Sequence, residues 1–438
     1  MFSFINTSIF IKRVTVLFAG NFLAQLISFL SALIITRLYT PADFGVMTFI
    51  WSLTMTISAG VSLGYRPAII LPADDQKGFQ LFFFSLLCVC FVSALAGVLC
   101  WLGVESLARW SGLLDLKKYL WAVPAGLLIL GMRWNFDSLC TRFKFFKLIA
   151  VSQILVSIFT VLVKVIPGIL IGSTAIWLVV GNIAGQFFPV IFLFVTLLFI
   201  MKEKQEWRVT LSSIIGAGKE YIKFPKYNLP TQILNSISQN TPVLLFAMFY
   251  SPEVIGWYGL ALSMLDRPIS LIVQSITVVF LQKSADIENT GESHFRSIFK
   301  TTMGLVTIGI IPLIILLIWG PKLFEILFGN NWHEAGIYAR ILSPWLFFNF
   351  ISCPADQLLF VKQLLRFKMV LEFIYLISIT VVIWGGNYFF RNDIIVTLSA
   401  FSAIGCLRGI FVLIAAFRCS TQGGGLSSSN HNICKKLN

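Results

Sequence analysis

Apolar runs of about twenty residues follow one another along this 438-residue chain. Each is long enough to cross a ~30 Å hydrocarbon core as a helix. In lipid, only helices and closed barrels satisfy every backbone N–H and C=O. A barrel would alternate polar and apolar residues in segments of about ten, whereas these runs are solid. The fold class is therefore an all-α polytopic membrane protein. About twelve spans are expected. The first six lie near Thr15–Thr36, Phe44–Leu71, Phe79–Leu102, Tyr119–Leu139, Leu148–Leu170 and Ala175–Met201. The second six lie near Tyr227–Tyr250, Val254–Leu281, Ile298–Gly320, Ile337–Val361, Val370–Phe389 and Ile394–Phe417. Mean hydropathy is +0.87 and 12% of residues are charged, about half the charge of an ordinary soluble protein.

Net charge is +14, which by itself would admit a nucleic-acid partner. Its distribution argues otherwise. With the N-terminus in the cytoplasm, 21 of the 33 lysines and arginines fall in cytoplasmic segments and seven in outer loops. That bias is the positive-inside pattern. It places both termini in the cytoplasm and leaves no reason to infer nucleic acid. Lys12 and Arg13 precede an apolar run too long for a signal-peptide core, so that run reads as a retained first span. The eight cysteines show no CxxC spacing and most lie in apolar runs, where a thiol acts as a small hydrophobe. No metal or cofactor motif occurs, no loop has room for a soluble catalytic domain, and the three histidines sit in loops or the tail.

A heptapeptide occurs twice. Tyr39-Thr40-Pro41-Ala42-Asp43-Phe44-Gly45 returns 211 positions later as Tyr250-Ser251-Pro252-Glu253-Val254-Ile255-Gly256. Each copy sits between two long apolar runs, as expected of one helical unit used twice. The expected organisation is a six-helix lobe over 1–201, a cytoplasmic linker over 202–226, a second six-helix lobe over 227–417, and a Gly/Ser/Asn-rich tail over 418–438 expected to be disordered. Within the linker, Leu211, Ile214, Ile215, Gly218 and Ile222 keep a helical spacing that predicts an amphipathic interfacial helix.

The repeat reaches into the spans. Asn21, Gln25 and Ser28 share one face of the first, and the same offset gives Gln232, Ser236 and Gln239 in the seventh, with Asn235 widening the stripe. Interhelical hydrogen bonding accounts for such residues at ~0.6 kcal/mol each. A polar cavity accounts for their recurrence on matching helices. Five cations lie inside spans: Arg66, Arg133, Lys164, Arg267 and Arg408. A charge at mid-bilayer costs ~2.5–3.5 kcal/mol or more, so it faces protein or water. Arg133 and Asp137 stand at i, i+4 and neutralise each other. The remaining four suit an anionic passenger, because a guanidinium matches phosphate oxygens two at a time, although snorkelling to headgroups explains any one of them. The candidate ion-coupling acids are Asp266, Asp356 and Glu372. Pro225, Pro230, Pro242 and Pro268 mark the seventh and eighth spans as places where helices bend.

At these residues a family pattern emerges. Thr36–Gly45, Tyr65–Pro72 followed by Asp74-Asp75, Phe224–Pro230, Val254–Ala261, Arg267-Pro268 and Leu327–Gly336 together resemble bacterial O-antigen and polysaccharide flippases of the Wzx type. That family belongs to the multidrug/oligosaccharidyl-lipid/polysaccharide exporter superfamily. The resemblance implies two six-helix lobes around a cavity in the bacterial inner membrane. It implies an undecaprenyl-pyrophosphate-linked oligosaccharide, such as a lipopolysaccharide O-antigen unit, moved from the cytoplasmic to the periplasmic leaflet. It also implies H+ or Na+ coupling, and a polysaccharide polymerase and chain-length regulator as partners. The pyrophosphate would meet Arg66 and Arg267, and the sugars would pass Asn21, Gln25, Gln232, Asn235 and Gln239. The chain departs from the family pattern at Pro67, where an acid usually follows an Arg-Tyr pair. Two rivals are a drug/cation antiporter of the same fold and a membrane polysaccharide polymerase or glycosyltransferase. The first calls for an acid in span one, which has none, and the second for a long outer loop carrying paired acids, also absent.

Overall fold

The structure is a computed structural model and describes residues 2–106, 114–202, 210–290, 293–362, 364–389 and 393–420. The tail expected over 418–438 and the start of the linker, 203–209, lie almost wholly outside the described residues. Among the described residues every regular element is helical. In chain order they are α1 Phe2–Leu38, α2 Pro41–Ser58, a 3-10 turn Arg66–Ile69, α3 Asp75–Leu102, a 3-10 turn Leu114–Lys118, α4 Ala122–Arg142, α5 Phe146–Leu170, α6 Ala175–Lys202 and α7 Leu211–Glu220. There follow α8 Lys223–Phe249, α9 Pro252–Thr290, α10 Phe295–Phe328, a 3-10 turn Asn330–Trp332, α11 His333–Ile351, α12 Cys353–Val361, α13 Leu365–Phe389 and α14 Ile394–Ser420.

Seven described helices are long and apolar enough to cross a membrane by themselves: Thr15–Leu38, Asp75–Leu102, Phe146–Leu170, Ala175–Leu198, Phe295–Phe328, Arg366–Gly386 and Ile394–Ser420. Other expected spans are more polar: α4 carries Arg133 and Asp137, and α8 carries Asn228, Gln232, Asn235, Gln239 and Asn240. The helices leave large apolar side chains outward, Phe91 at 65%, Trp101 at 77%, Ile311 at 62% and Val381 at 62% exposure. Such a surface suits lipid, not water.

Two expected spans are not continuous helices. The second, read over Phe44–Leu71, ends as α-helix at Ser58. Turns follow, with Leu63 at φ 47° and Gly64 at φ 77°, and then the 3-10 turn Arg66–Ile69. The left-handed backbone at these two positions keeps the helix, which has ended at Ser58, from resuming. The tenth, read over Ile337–Val361, divides at Ser352 into α11 and α12, where Pro354 at the second position of α12 cannot donate to a continuing helix.

Contacts divide the chain into two compact units, Met1–Gly256 and Trp257–Asn438. The division falls after the second heptapeptide, so α8 belongs with the first unit, where it packs on α2. In unit 1, α1 packs on α5, α5 on α6, and α3 on α4. Small residues allow close helix approach: a Cβ on Gly20 would lie 2.6 Å from the Ala150 methyl, and one on Gly185 1.8 Å from Thr160 Oγ1. One core cluster gathers Leu81, Phe82, Phe136, Leu139, Val190 and Leu193 with Tyr65, Ala68 and Ile69 from the broken segment. Helix α7 begins at a Thr210 N-cap. It buries Ile214, Ala217 and Gly218 against α3, leaving Leu211 and Ile215 outward. Tyr65 Oη donates to Gly218 O at 3.0 Å, and Lys77 Nζ donates to Glu220 at 3.0 Å.

The heptapeptides meet each other inside unit 1. A Cβ on Gly45 would lie 1.9 Å from Pro252 O, and one on Gly256 would lie 1.9 Å from Pro41 O. The same two positions of the repeat thus exchange the same contact, as a local two-fold relation demands. In the first copy Thr40 caps α2 in a box with Asp43: Asp43 N donates to Thr40 Oγ1 at 3.3 Å, and Thr40 N donates to Asp43 Oδ2 at 3.1 Å.

In unit 2, α10 packs on α11, while α14 packs on α11, α12 and α13. Its core gathers Phe280, Ile298, Leu358, Leu359 and Ala416, and a smaller cluster centres on Leu305, Phe350 and Ile351.

Candidate functional site

The broken second span presents Arg66 at the first position of its 3-10 turn. Non-helical backbone at membrane depth persists only where protein or a wet cavity satisfies it, and here protein does much of this. Arg142, from the last turn of α4, reaches back with Nη1 donating to Ile69 O at 3.0 Å and Ile70 O at 3.4 Å. Its Nη2 donates to Asp74 O at 2.8 Å and Asp75 Oδ1 at 2.9 Å. The Arg66 guanidinium lies over the Trp134 ring, 5.0 Å from its centroid, an attraction of ~0.5–2 kcal/mol.

Behind it on α4, Arg133 is 5% exposed. Its Nη1 donates to Gln186 Oε1 of α6, and its Nη2 lies 3.4 Å from Asp137 Oδ2. The expected i, i+4 pair is thus present, with Gln186 as a third member. Asp137 Oδ1 is buried without a hydrogen bond among the described residues.

Lys164, expected to line the path, is 8% exposed, with Nζ donating to Asn182 Oδ1 at 2.7 Å across α5 and α6, while its carbonyl accepts from Tyr39 Oη at 2.6 Å. This amine is inside the helix packing of unit 1. Asn21 and Gln25 are half-buried on α1, whereas Ser28 donates to Ser157 Oγ of α5 at 3.2 Å. On α8, Gln232 is half-buried, Asn235 and Gln239 are exposed, and Gln239 Nε2 donates to Asn235 Oδ1 at 3.3 Å. Ser236 donates to Met55 O of α2 at 2.8 Å. Each stripe therefore commits its serine to helix packing and keeps its amides outward or half-buried.

Unit 2 holds the remaining charges. Arg408 of α14, expected to stand unpaired, makes an ion pair with Glu372 of α13 and lies 5.5 Å from the Tyr375 ring centroid. Its Nη1 donates to Asn349 Oδ1 at 3.3 Å. Asp356 pairs with Lys368 at 2.9 Å. Two of the three expected coupling acids are thus held by cations, because α11 to α14 bring opposite charges together that the sequence keeps far apart. Asp266 is exposed and Arg267 half-buried on α9, and neither makes an ion pair among the described residues. In the same unit, Met264, Leu265, Pro268, Pro312, Leu316 and Phe347 help line a cavity of about 190 Å³ whose one side-chain hydroxyl is Ser343. Such a lining suits hydrocarbon, not an ion.

Of the four arginines expected inside spans, then, Arg133 and Arg408 have carboxylate partners. Arg66 and Arg267 have none among the described residues. Sequence reasoning passes over Trp134, Gln186, Asn182 and Arg142. Gln186 and Asn182 carry a signal, as lone amides in an apolar run. Arg142 carries none, reading as one more cytoplasmic charge.

The all-helical fold, the apolar exterior and the buried charges define a multi-pass membrane protein. Residues 34–337 match the family model described as polysaccharide biosynthesis protein, and the chain belongs to that family. Among solved structures it is similar to a multidrug resistance MATE family transporter of the MOP superfamily in an inward-facing conformation, at TM-score 0.67 and 13% identity over 98% of both chains. It is also similar to the lipid II flippase MurJ in an inward closed conformation, at TM-score 0.70 and 12% identity over 92% of this chain and 87% of that one. A third likeness is the MATE multidrug transporter DinF-BH, at TM-score 0.61 and 14% identity over 93% of this chain and 96% of that one. These likenesses show the fold alone, which this chain shares with those three proteins. None of the curated proteins matches the sequence.

Proposed function

We propose that this protein flips an undecaprenyl-pyrophosphate-linked oligosaccharide, an O-antigen or related surface-polysaccharide unit, from the cytoplasmic to the periplasmic leaflet of a bacterial inner membrane by alternating access. The carrying observation is the sorting of the arginines inside the expected spans: Arg133 and Arg408 are ion-paired to carboxylates, while Arg66 and Arg267 make no ion pair among the described residues. A fork-shaped cation without an acid is the group that takes a diphosphate. The family supplies the polysaccharide context, and a lipid II flippase shares the fold. The amides of Asn21, Gln25, Gln232, Asn235 and Gln239 are the hydrogen-bonding groups for sugar. The positive-inside bias puts both termini in the cytoplasm. Of the three acids, Asp266 is the coupling candidate for H+ or Na+, since cations already hold Asp356 and Glu372. A polysaccharide polymerase and its chain-length regulator would act on the product. A cation antiporter of the same fold is disfavoured because span one carries no acid, and its cations would meet these two arginines.

The test is complementation of a strain lacking its own copy. Arg66→Ala and Arg267→Ala are each expected to reduce surface glycan at least about tenfold at normal membrane levels, since a charge-assisted hydrogen bond contributes about 1.5–3 kcal/mol. Arg→Lys at either position is expected to recover only part of the export, because an ammonium keeps the charge but not the fork. Wild-type glycan in both alanine variants would remove the arginines from the mechanism.

A further inference from the structure

The region around Arg66 poses a mechanical problem. A cation meant to meet a passing diphosphate must be held in place, yet Arg66 stands on a segment that is not α-helix from Ala59 to Asp74. Short 3-10 turns are poorly bonded and leave carbonyls exposed at their ends. Leu63 at φ 47° adds a backbone conformation that a leucine rarely adopts. Left to itself, the segment would sample many positions, and a guanidinium displaced by about 1 Å loses most of its advantage.

We infer that Arg142 is the positioning residue of the diphosphate site, clamping the broken span so that Arg66 is delivered onto the Trp134 face; this rests on the reading of Arg66 given above. One guanidinium ties the Arg66 turn to the start of α3. It takes Ile69 O and Ile70 O, the last carbonyls of the Arg66 turn, and Asp74 O and Asp75 Oδ1 at the start of α3. A planar group bonded on both flanks fixes the angle between turn and helix, which a single ammonium would not do. The Arg142 side chain is 5% exposed. Gly78 makes its berth: a Cβ there would lie 2.4 Å from Arg142 Nε and 2.5 Å from its Cζ. The clamp and its platform share one helix, because Trp134 and Arg142 both belong to α4. Tyr65, beside Arg66, is held by α7 through Gly218 O. The clamp touches no cargo and acts only through Arg66.

The full-length protein in nanodiscs, titrated with farnesyl diphosphate and with farnesol as the headgroup-free control, tests this by a double-mutant cycle. Arg142→Lys is expected to weaken farnesyl diphosphate binding about tenfold, the scale of one mispositioned charge-assisted hydrogen bond. In an Arg66→Ala background the same substitution is expected to weaken it by less than about twofold, because nothing remains to be positioned. Gly78→Ala crowds the same guanidinium and is expected to reproduce the effect, so the inference does not hang on one variant folding. If Arg66→Ala weakens binding while Arg142→Lys and Gly78→Ala leave it unchanged, the positioning role is wrong and the diphosphate reading stands. If Arg142→Lys costs as much without Arg66 as with it, Arg142 is only structural. If Arg66→Ala has no effect, the diphosphate reading fails and takes the clamp's purpose with it.

Discussion

Alanine at Gly256 is expected to be among the most destabilising single methyl additions in this protein. Its Cβ would sit 1.9 Å from Pro41 O, 2.8 Å from Pro41 C and 3.0 Å from Gly45 N. All three are backbone atoms, so no side chain can swing aside, and the two helix starts must separate. Overpacking of this kind costs about 1–3 kcal/mol or more. Gly45→Ala meets Pro252 O at 1.9 Å and should cost a similar amount. The double variant should cost clearly less than the sum, because one separation relieves both clashes. Gly216→Ala is the internal control. Nothing lies within 4 Å of its Cβ position, and within α7 alanine should gain up to about 1 kcal/mol in helix propensity. Apparent melting temperatures of the detergent-solubilised variants decide the matter. Wild-type melting in both single variants would mean that the repeated turns do not touch in the protein as it stands in a membrane.

The second large effect is expected at Arg133. Replacing it by methionine leaves the Asp137 carboxylate, with its buried Oδ1, without the guanidinium that also holds Gln186. Removing one member of a buried pair typically costs about 3–5 kcal/mol. Arg133→Met with Asp137→Leu should regain most of that loss, since replacing both charges by apolar groups is often close to neutral. Thermal shift and the yield of monodisperse protein read both. Equal melting of the single and double variants would transfer the compensation of Asp137 to Arg66, the other cation near it, and would count against treating Arg66 as free for cargo.

Much of this architecture is legible in the sequence because lipid imposes a simple rule. Runs of twenty apolar residues must be helices when no water reaches the backbone. The amphipathic spacing around Ile214 predicts α7, since a helix at an interface must show its period. The Arg133–Asp137 pair follows from helix geometry alone. The break in the second span does not. Ala59–Leu71 is nearly as apolar as a helix interior, and a hydropathy sum is blind to the sign of φ at Leu63. Gly60, Gly64 and Pro67 are the available hints, and each residue type is also common in unbroken spans.

The charges divide the same way. The expectation that unpaired cations line a path covers four residues and takes no account of which helices are neighbours. Folding brings Glu372 to Arg408 and Asn182 to Lys164, so two of the four have polar partners within their own unit. Arg66 and Arg267 remain. They fall in the second span of each expected lobe, the span that follows the repeated turn.

What the sequence decided alone was the helical, membrane-spanning class and the duplicated turn. These depend on side-chain transfer energies and short-range spacing, which are properties of the chain read residue by residue. What only tertiary structure decided was that Glu372 reaches Arg408, where a span gives up its helix, and that Arg142 ties the Arg66 turn to the start of α3. Those depend on groups 36 to 73 positions apart coming within a hydrogen bond of one another, and no local pattern encodes that approach.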